Sequence, residues 1–491
     1  MSDRKTAATL LWVTVLVVWG LITHGTYAGS GDEPHYLMIA RSIAFDGDVH
    51  LANDYGDSEN LIGAGTVVAG AHVRPGRDGA LRPVHDIGLP LLAAPIVRVL
   101  YPLAAWLDAT VPRAWLTRAK LNGSLLLRHF LSLLMAVIAG LIAIEISRVL
   151  LEVGLNRRRA FWWALLATLS PPLLSYAFLF FTELVAALIV LVCLRRLREP
   201  SWSWHGGLLT GALVGLLSFI HIRNAPISFA LAAVAVVTHR RRVGELAPFA
   251  IGIAAVAAVR TAVNWHFWGR LFTNDHARLG QVGNLADTLR EIGVRASGLL
   301  LDQEFGLLAL APIYVLALPG LVRLWRRAPA IARPLAAVVV AGVVPLLLPF
   351  VNVHGWTGTW SPAPRFLVPI APLLAIMAAV VAAGATGLRA TFVAVLVALQ
   401  VVIDIIVWNE PKVLWNDGDG VSAVTQAIPA LRSLYAALPA WHSPAASPWP
   451  FVTGVLMCMA IAAWLLTGGY RLQTPGPRLR SQAPAPVITD H

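Results

Sequence analysis

The chain has 491 residues, 57% of them hydrophobic and 13% charged, about half the charged share of an ordinary soluble domain. Its 38 basic and 26 acidic residues give a formal charge of +12, but the basic residues cluster between apolar runs. They therefore read as topology signals, not as a nucleic-acid surface, and the only cysteines, Cys193 and Cys458, sit inside apolar runs, which excludes a disulfide framework.

The first apolar run, 7–25, follows Arg4-Lys5 and reads as an uncleaved transmembrane helix, with a cleaved signal peptide as the alternative. Further spans are predicted over 125–147, 160–176, 182–198, 206–221, 224–239, 245–264, 305–322, 334–352, 366–384, 390–408 and 450–469. One more run, Ile87–Tyr101, contains Pro90, Pro95 and Arg98, and its unbroken apolar length is short of the ~20 residues a span needs. If it lies on the outer side as a surface or re-entrant helix, the clusters Arg4-Lys5, Arg157-Arg158-Arg159, Arg195-Arg196-Arg198, Arg240-Arg241-Arg242, Arg323-Arg326-Arg327 and Arg471-Arg478-Arg480 all face the cytoplasm. If it spans, the three clusters between residues 157 and 242 are thrown outside, against the positive-inside rule.

The expected fold class is an all-α polytopic membrane protein with about twelve transmembrane helices (roughly eleven to thirteen), both termini inside. Its large loops, 26–123, 265–304, 353–365 and 409–449, lie outside, and the first carries the surface helices. The predicted organisation is a transmembrane catalytic region over 1–408, an extracytoplasmic loop over 409–449, a last transmembrane helix over 450–470 and a disordered cytoplasmic tail over 471–491. No internal repeat stands out.

The densest polar patch follows the first span: Gly31-Asp32-Glu33-Pro34-His35-Tyr36, with Asp46, Asp48, His50, Asn53 and Asp54 beyond. Pro34 suits a first helical turn, and Leu37, Ile39, Ala40, Ile43 and Ala44 recur at helical spacing, so Asp32 and Glu33 should sit at the mouth of a short surface helix. An N-cap with an acidic first turn explains such a pair without any chemistry. The polar company around it exceeds what a surface helix needs, and Asp32 and Glu33 are read as the catalytic centre. A helix N-terminus weakens a carboxylate as a base, so burial would have to raise its pKa again.

Candidate phosphate-binding cations stand near the outer boundary: Arg365, Arg223 in the turn His221-Ile222-Arg223-Asn224, and Arg260 inside an apolar run. Snorkelling to the headgroups explains the first two equally well, and a buried ion pair would explain Arg260. Glu183, Asp302 and Glu304 fit helix caps, and Asp404 a structural pair with an arginine of another helix. His354, Trp356 and Trp360, with His35 and Tyr36, are candidate substrate contacts; an interfacial aromatic belt is the alternative for the tryptophans. His35, His72, His85, His221 and His354 show no metal-ligand spacing, so no metal site is expected, and a divalent cation between Asp32 or Glu33 and a phosphate is left open.

The stretch Gly31–Tyr36, with Ala40-Arg41 and Gly47-Asp48, resembles the first-loop motif of the GT-C superfamily of integral-membrane glycosyltransferases, in the protein O-mannosyltransferase and lipid A aminoarabinose transferase branch. Further matching pieces occur in the same order: His85-Asp86-Ile87-Gly88-Leu89-Pro90, Thr182-Glu183-Leu184, Asp302-Gln303-Glu304-Phe305-Gly306-Leu307-Leu308 and Pro364-Arg365-Phe366-Leu367-Val368-Pro369. The resemblance covers residues 7 to about 384 and implies a GT-C-like membrane region, a polyprenyl-phosphate-linked sugar donor, inverting transfer and a catalytic Asp32. It implies a donor-phosphate site of basic groups at outer helix ends, with His85 near the position where the aminoarabinose transferases carry a lysine. The segment 409–449 is too small to match the C-terminal periplasmic domain of relatives.

The expected function is an inverting glycosyltransferase of the bacterial-type inner (plasma) membrane, acting on the extracytoplasmic face. It would move a hexosyl or pentosyl unit from a polyprenyl-phosphate donor to a hydroxyl of a lipid, glycan or protein. A transporter or lipid flippase, which predicts paired broken helices, and a non-catalytic scaffold are the alternatives.

Overall fold

Lipid offers no partner to a bare amide, so long apolar runs close their hydrogen bonds internally as helices. The computed structural model describes residues 3–24, 31–56, 69–118, 123–271, 280, 282–352, 355–358, 361–443 and 449–467. Among them nine helices are long and apolar enough to cross a membrane. The protein is an all-helical integral membrane protein, varied among the described residues only by a hairpin in which Val73–Pro75 pairs antiparallel with Leu81–Pro83.

Eight of those helices lie on predicted spans, and Gly88–Thr110 is the ninth. Four predicted spans yield shorter or interrupted helices, which is why nine and not about twelve meet the length of a span. Arg157–Thr168 ends before Pro171-Pro172, and Leu173–Tyr176 resumes for one turn. Thr182–Arg196 and Trp204–Ile220 are short, and the 305–322 run divides into Leu307–Leu310, a 3₁₀ turn Pro312–Leu316 and Ala317–Arg327. Prolines supply no N–H, so helices yield at these points.

Gly88–Thr110 continues through Pro95 and Pro102, beyond the predicted end at Tyr101. It runs alongside the segment that follows the first helix: Arg98 donates to the Ala44 carbonyl at 3.0 Å and stacks 4.7 Å over Phe45, and Tyr101 meets Phe45 at 5.1 Å. At 23 residues it is also long and apolar enough to cross a membrane, which the sequence reading did not expect. A further helix, Leu285–Leu301, was not predicted; Asn284 caps it by accepting from Asp287 N at 2.9 Å.

Among the described residues, members of the basic clusters collect at one end. Arg157 pairs with Asp3 at 2.8 Å, Arg195 with Glu145 at 3.0 Å, Arg159 donates to Ala383 O at 2.8 Å and Arg323 reaches Leu465 O. Asp32, Asp86, Glu183, Arg223 and Arg365 converge at the other end. This separation is the charge asymmetry expected of helices oriented by positive-inside loops.

Two glycines let neighbouring helices close on one another. A Cβ on Gly211 would lie 1.9 Å from Phe249 O, and one on Gly252 would lie 2.2 Å from Leu208 O, so Trp204–Ile220 and Val243–Trp268 pack backbone to backbone.

Candidate active site

Asp32 occupies the N-cap position of Glu33–Arg41, and its main-chain oxygen accepts from His35 N and Tyr36 N, both at 3.1 Å. Its carboxylate makes no capping bond. Instead Oδ2 accepts from Arg365 Nη2 at 2.7 Å, while Arg365 Nε binds Glu183 Oε1 at 2.6 Å. One buried guanidinium thus bridges the first-loop helix and the start of Thr182–Arg196. Burial pushes the Asp32 pKa up, but Arg365 and then His85 outweigh it and hold the carboxyl well below its usual range. Glu183, expected as a cap, is the anchor of Arg365.

Glu33 is fully buried: Oε1 accepts from Phe180 N at 2.8 Å and Oε2 lies 3.8 Å from Arg128 Nε. The 169–181 connection carries non-helical backbone among buried phenylalanines, which membrane depth tolerates only where protein satisfies its amides, and Glu33 does so at Phe180. A carboxylate enclosed in this way cannot meet an acceptor, so the catalytic expectation for Glu33 gives way to a positioning one.

Arg260 lies 3.6 Å from Asp86, whose other oxygen accepts from Ile222 N at 2.8 Å. The structure therefore gives Arg260 a buried ion pair in place of a phosphate. Burial raises Asp86 to about 6 against the pull of Arg260. Arg223 differs: its guanidinium stacks 3.8 Å over Phe366 beside Glu183 and His221, with no ion pair to a carboxylate among the described residues.

His35, His72 and His85 come together beside Asp32. The His35 and His72 rings stack at 3.6 Å and 13°, His72 Nδ1 is 2.9 Å from His85 Nε2, and His35 is hydrogen-bonded to the Tyr55 hydroxyl. Burial pushes His35 down to about 3, helped by His72 and His85, and His85 down to about 4. Both are neutral at physiological pH. Tyr36 packs against His85 and Phe181, and burial raises its phenol. Although no metal-ligand spacing joins these histidines along the chain, Asp32, His72 and His85 each bring a ligand atom within 4.8 Å of the others. Chain spacing could not reveal this, because a hairpin joins the two histidines.

Trp356 is buried against Phe305 and His442, and its ring fills the space beside Gly298. It therefore offers no face to a sugar and belongs to no interfacial belt. His354 and Trp360 lie outside the described residues, as does the tail beyond residue 467. Asp302 accepts from the amides of Glu304, Phe305 and Trp441, and Glu304 from those of Gly418 and Gly420. Rather than capping helix starts, they fasten the 409–443 segment. Asp404 binds Ser170 at 2.7 Å and Gln400 at 2.9 Å, in place of the expected arginine.

No family model and no curated protein matches this sequence. Three solved structures resemble it. ArnT from Cupriavidus metallidurans bound to undecaprenyl phosphate is 15% identical at a TM-score of 0.46, over 94% of this chain and 72% of that one. The archaeal oligosaccharyltransferase AglB from Archaeoglobus fulgidus, in complex with an inhibitory peptide and a dolichol-phosphate, is 12% identical at 0.42, over 96% and 61%. The A. fulgidus oligosaccharyltransferase tethered with an acceptor peptide is 13% identical at 0.39, over 95% and 56%. The chain thus spans under two thirds of the oligosaccharyltransferases' length. At these identities and scores the likeness bears no weight, and the chemistry rests on the side chains themselves.

Proposed function

We propose that the protein is an inverting glycosyltransferase that moves a sugar from a polyprenyl-phosphate-linked donor to an acceptor hydroxyl at the extracytoplasmic membrane surface. The observation that carries this reading is the Asp32 carboxylate, free of its capping duty and held on the Arg365–Glu183 relay at the end opposite the basic clusters. On the outer face no cytosolic nucleotide sugar is at hand, so an activated sugar has to arrive through the bilayer on a lipid.

A carboxylate bound to Arg365 is a weak base, and the relay supplies a way to release it. The donor phosphate competes with Asp32 for the Nη2 side of Arg365, which stays anchored through Nε on Glu183. Asp32 then regains basicity as the donor binds. It takes the acceptor's proton, the acceptor oxygen bonds to the anomeric carbon, and the bond from that carbon to the phosphate oxygen breaks. The phosphate leaves as an anion toward Arg365 and Arg223 without a proton, so one carboxylate suffices. Single displacement inverts the anomeric centre. His85 stands between Asp32 and the rings of His35 and Tyr36.

The transport alternative has one observation in its favour, the helix breaks at 169–172 and 311–316. They converge on Gln400 and Asp404, through Leu310 O and Ser170, away from the Asp32 cleft. Mass spectrometry of the host's envelope glycans and lipids, with the gene present, deleted or replaced by Asp32→Asn, tests the proposal. A sugar lost on deletion and not restored by a well-expressed Asp32→Asn protein supports it; restoration by that variant refutes it.

A further inference from the structure

We propose that a groove between Ala225–His239 and Pro329–Leu347 holds one anionic glycerophospholipid of the leaflet at the basic end, with its phosphate on Arg198 and Arg333. The two helices close on one another where a Cβ on Gly342 would lie 3.5 Å from Ile227 Cδ1. Toward the basic end they part around a cavity of about 1200 Å³, lined by residues between 230 and 238 of one and between 329 and 337 of the other. Drug-sized ligands occupy roughly 300–1,000 Å³, so this space suits something larger. Ala230, Ala233, Val234, Val237, Pro334 and Ala337 give it apolar walls, and Ala233, Val237 and Ala337 are exposed, where acyl chains would cover them.

The polar rim selects the headgroup. Three arginines and two glutamates stand around the cavity. Arg195 is taken up by Glu145 at 3.0 Å and Glu199 at 3.5 Å, and Arg198 gives Nη2 to Glu152. That leaves Arg198 Nη1, buried without a hydrogen bond, and Arg333, which lies 5.8 Å over Trp325 and has no ion pair to a carboxylate among the described residues. One phosphate diester supplies acceptors for both, while Glu152 and Glu199 repel a second anion. Basic pockets between membrane helices on the cytoplasmic side bind anionic headgroups in this way. A zwitterionic headgroup would bring its own cation to the same arginines, and a free phosphate ion would leave the apolar walls bare. The inference is independent of the transferase reading, since no group of the Asp32 cleft takes part.

The test uses the full chain in detergent, delipidated and titrated with dioleoylphosphatidylglycerol or dioleoylphosphatidylcholine, with bound lipid counted by native mass spectrometry. The expected result is one phosphatidylglycerol per chain, held about 10-fold more tightly than phosphatidylcholine and not displaced by inorganic phosphate. Arg198→Gln and Arg333→Gln should each weaken retention about 5- to 10-fold. Ala233→Trp, whose indole would fill the groove, should abolish it. Arg333 and Ala233 are exposed, so these two variants should fold even if Arg198→Gln does not. Arg241→Gln, at an exposed arginine outside the lining, should change nothing. Equal retention of the two lipids, displacement by inorganic phosphate, or tighter retention of undecaprenyl phosphate at a site sensitive to Arg333→Gln would overturn the proposal. So would unchanged phosphatidylglycerol binding in Arg333→Gln and Ala233→Trp, or an equal loss in Arg241→Gln, the mark of a diffuse basic surface.

Discussion

Replacing Arg365 by lysine keeps the charge and removes the fork. The guanidinium holds Glu183 at 2.6 Å through Nε and Asp32 at 2.7 Å through Nη2, two directions that a single ammonium on a flexible stem cannot reproduce. One charge-assisted hydrogen bond is therefore lost, worth about 1.5–3 kcal/mol, or roughly 10- to 150-fold in kcat/KM. Arg365→Gln goes further and leaves the buried Glu183 and the half-buried Asp32 without their cation, with about 3–5 kcal/mol as the upper bound set by a fully buried pair. Transfer from a polyprenyl-phosphate donor would be followed by product mass spectrometry, with thermal unfolding in detergent as the folding control. A cycle with Glu183→Gln separates the parts: if the bridge is what matters, Arg365→Lys should cost far less in the Glu183→Gln background. Wild-type rates in Arg365→Lys, or strictly additive losses in the cycle, would refute the relay.

Asp32→Asn should insert and unfold normally yet lose about 10²–10⁴-fold in kcat, with KM little changed. Glu33→Gln keeps an oxygen for Phe180 N, whereas Glu33→Ala leaves that buried amide unpaired, so alanine should lower stability by a further ~1–3 kcal/mol, read as a drop in Tm. Gly88→Ala places a Cβ 2.4 Å from Phe219 O, a backbone atom that cannot swing away; the Gly88–Thr110 helix should shift and the melting temperature fall, by about 1–3 kcal/mol of overpacking. Trp356→Ala should destabilise by about 3–5 kcal/mol through its cavity while KM stays constant in the protein that remains folded, which sugar stacking would not allow.

The helical membrane class was legible because apolar length and charge placement are local properties, written in consecutive residues. Asp32 stood out for the same reason, by its polar company at the edge of an apolar run. The span count was not legible: Pro171, Pro172 and Pro312 interrupt runs whose hydropathy is continuous, and Gly88–Thr110 tolerates Pro95 and Pro102, so only backbone geometry tells a break from a bend.

What the sequence by itself determined is thus the kind of molecule, a bundle of apolar helices built for a membrane. Only the tertiary structure decided which charges meet. Arg365 reaches Asp32 across 333 positions and Glu183 across 182, Arg260 is taken up by Asp86, and a hairpin brings His72 to His85. Helical periodicity fixes which face a residue occupies within a few turns, whereas the partner across the bundle depends on how distant helices pack, and one sequence carries no local signal for that.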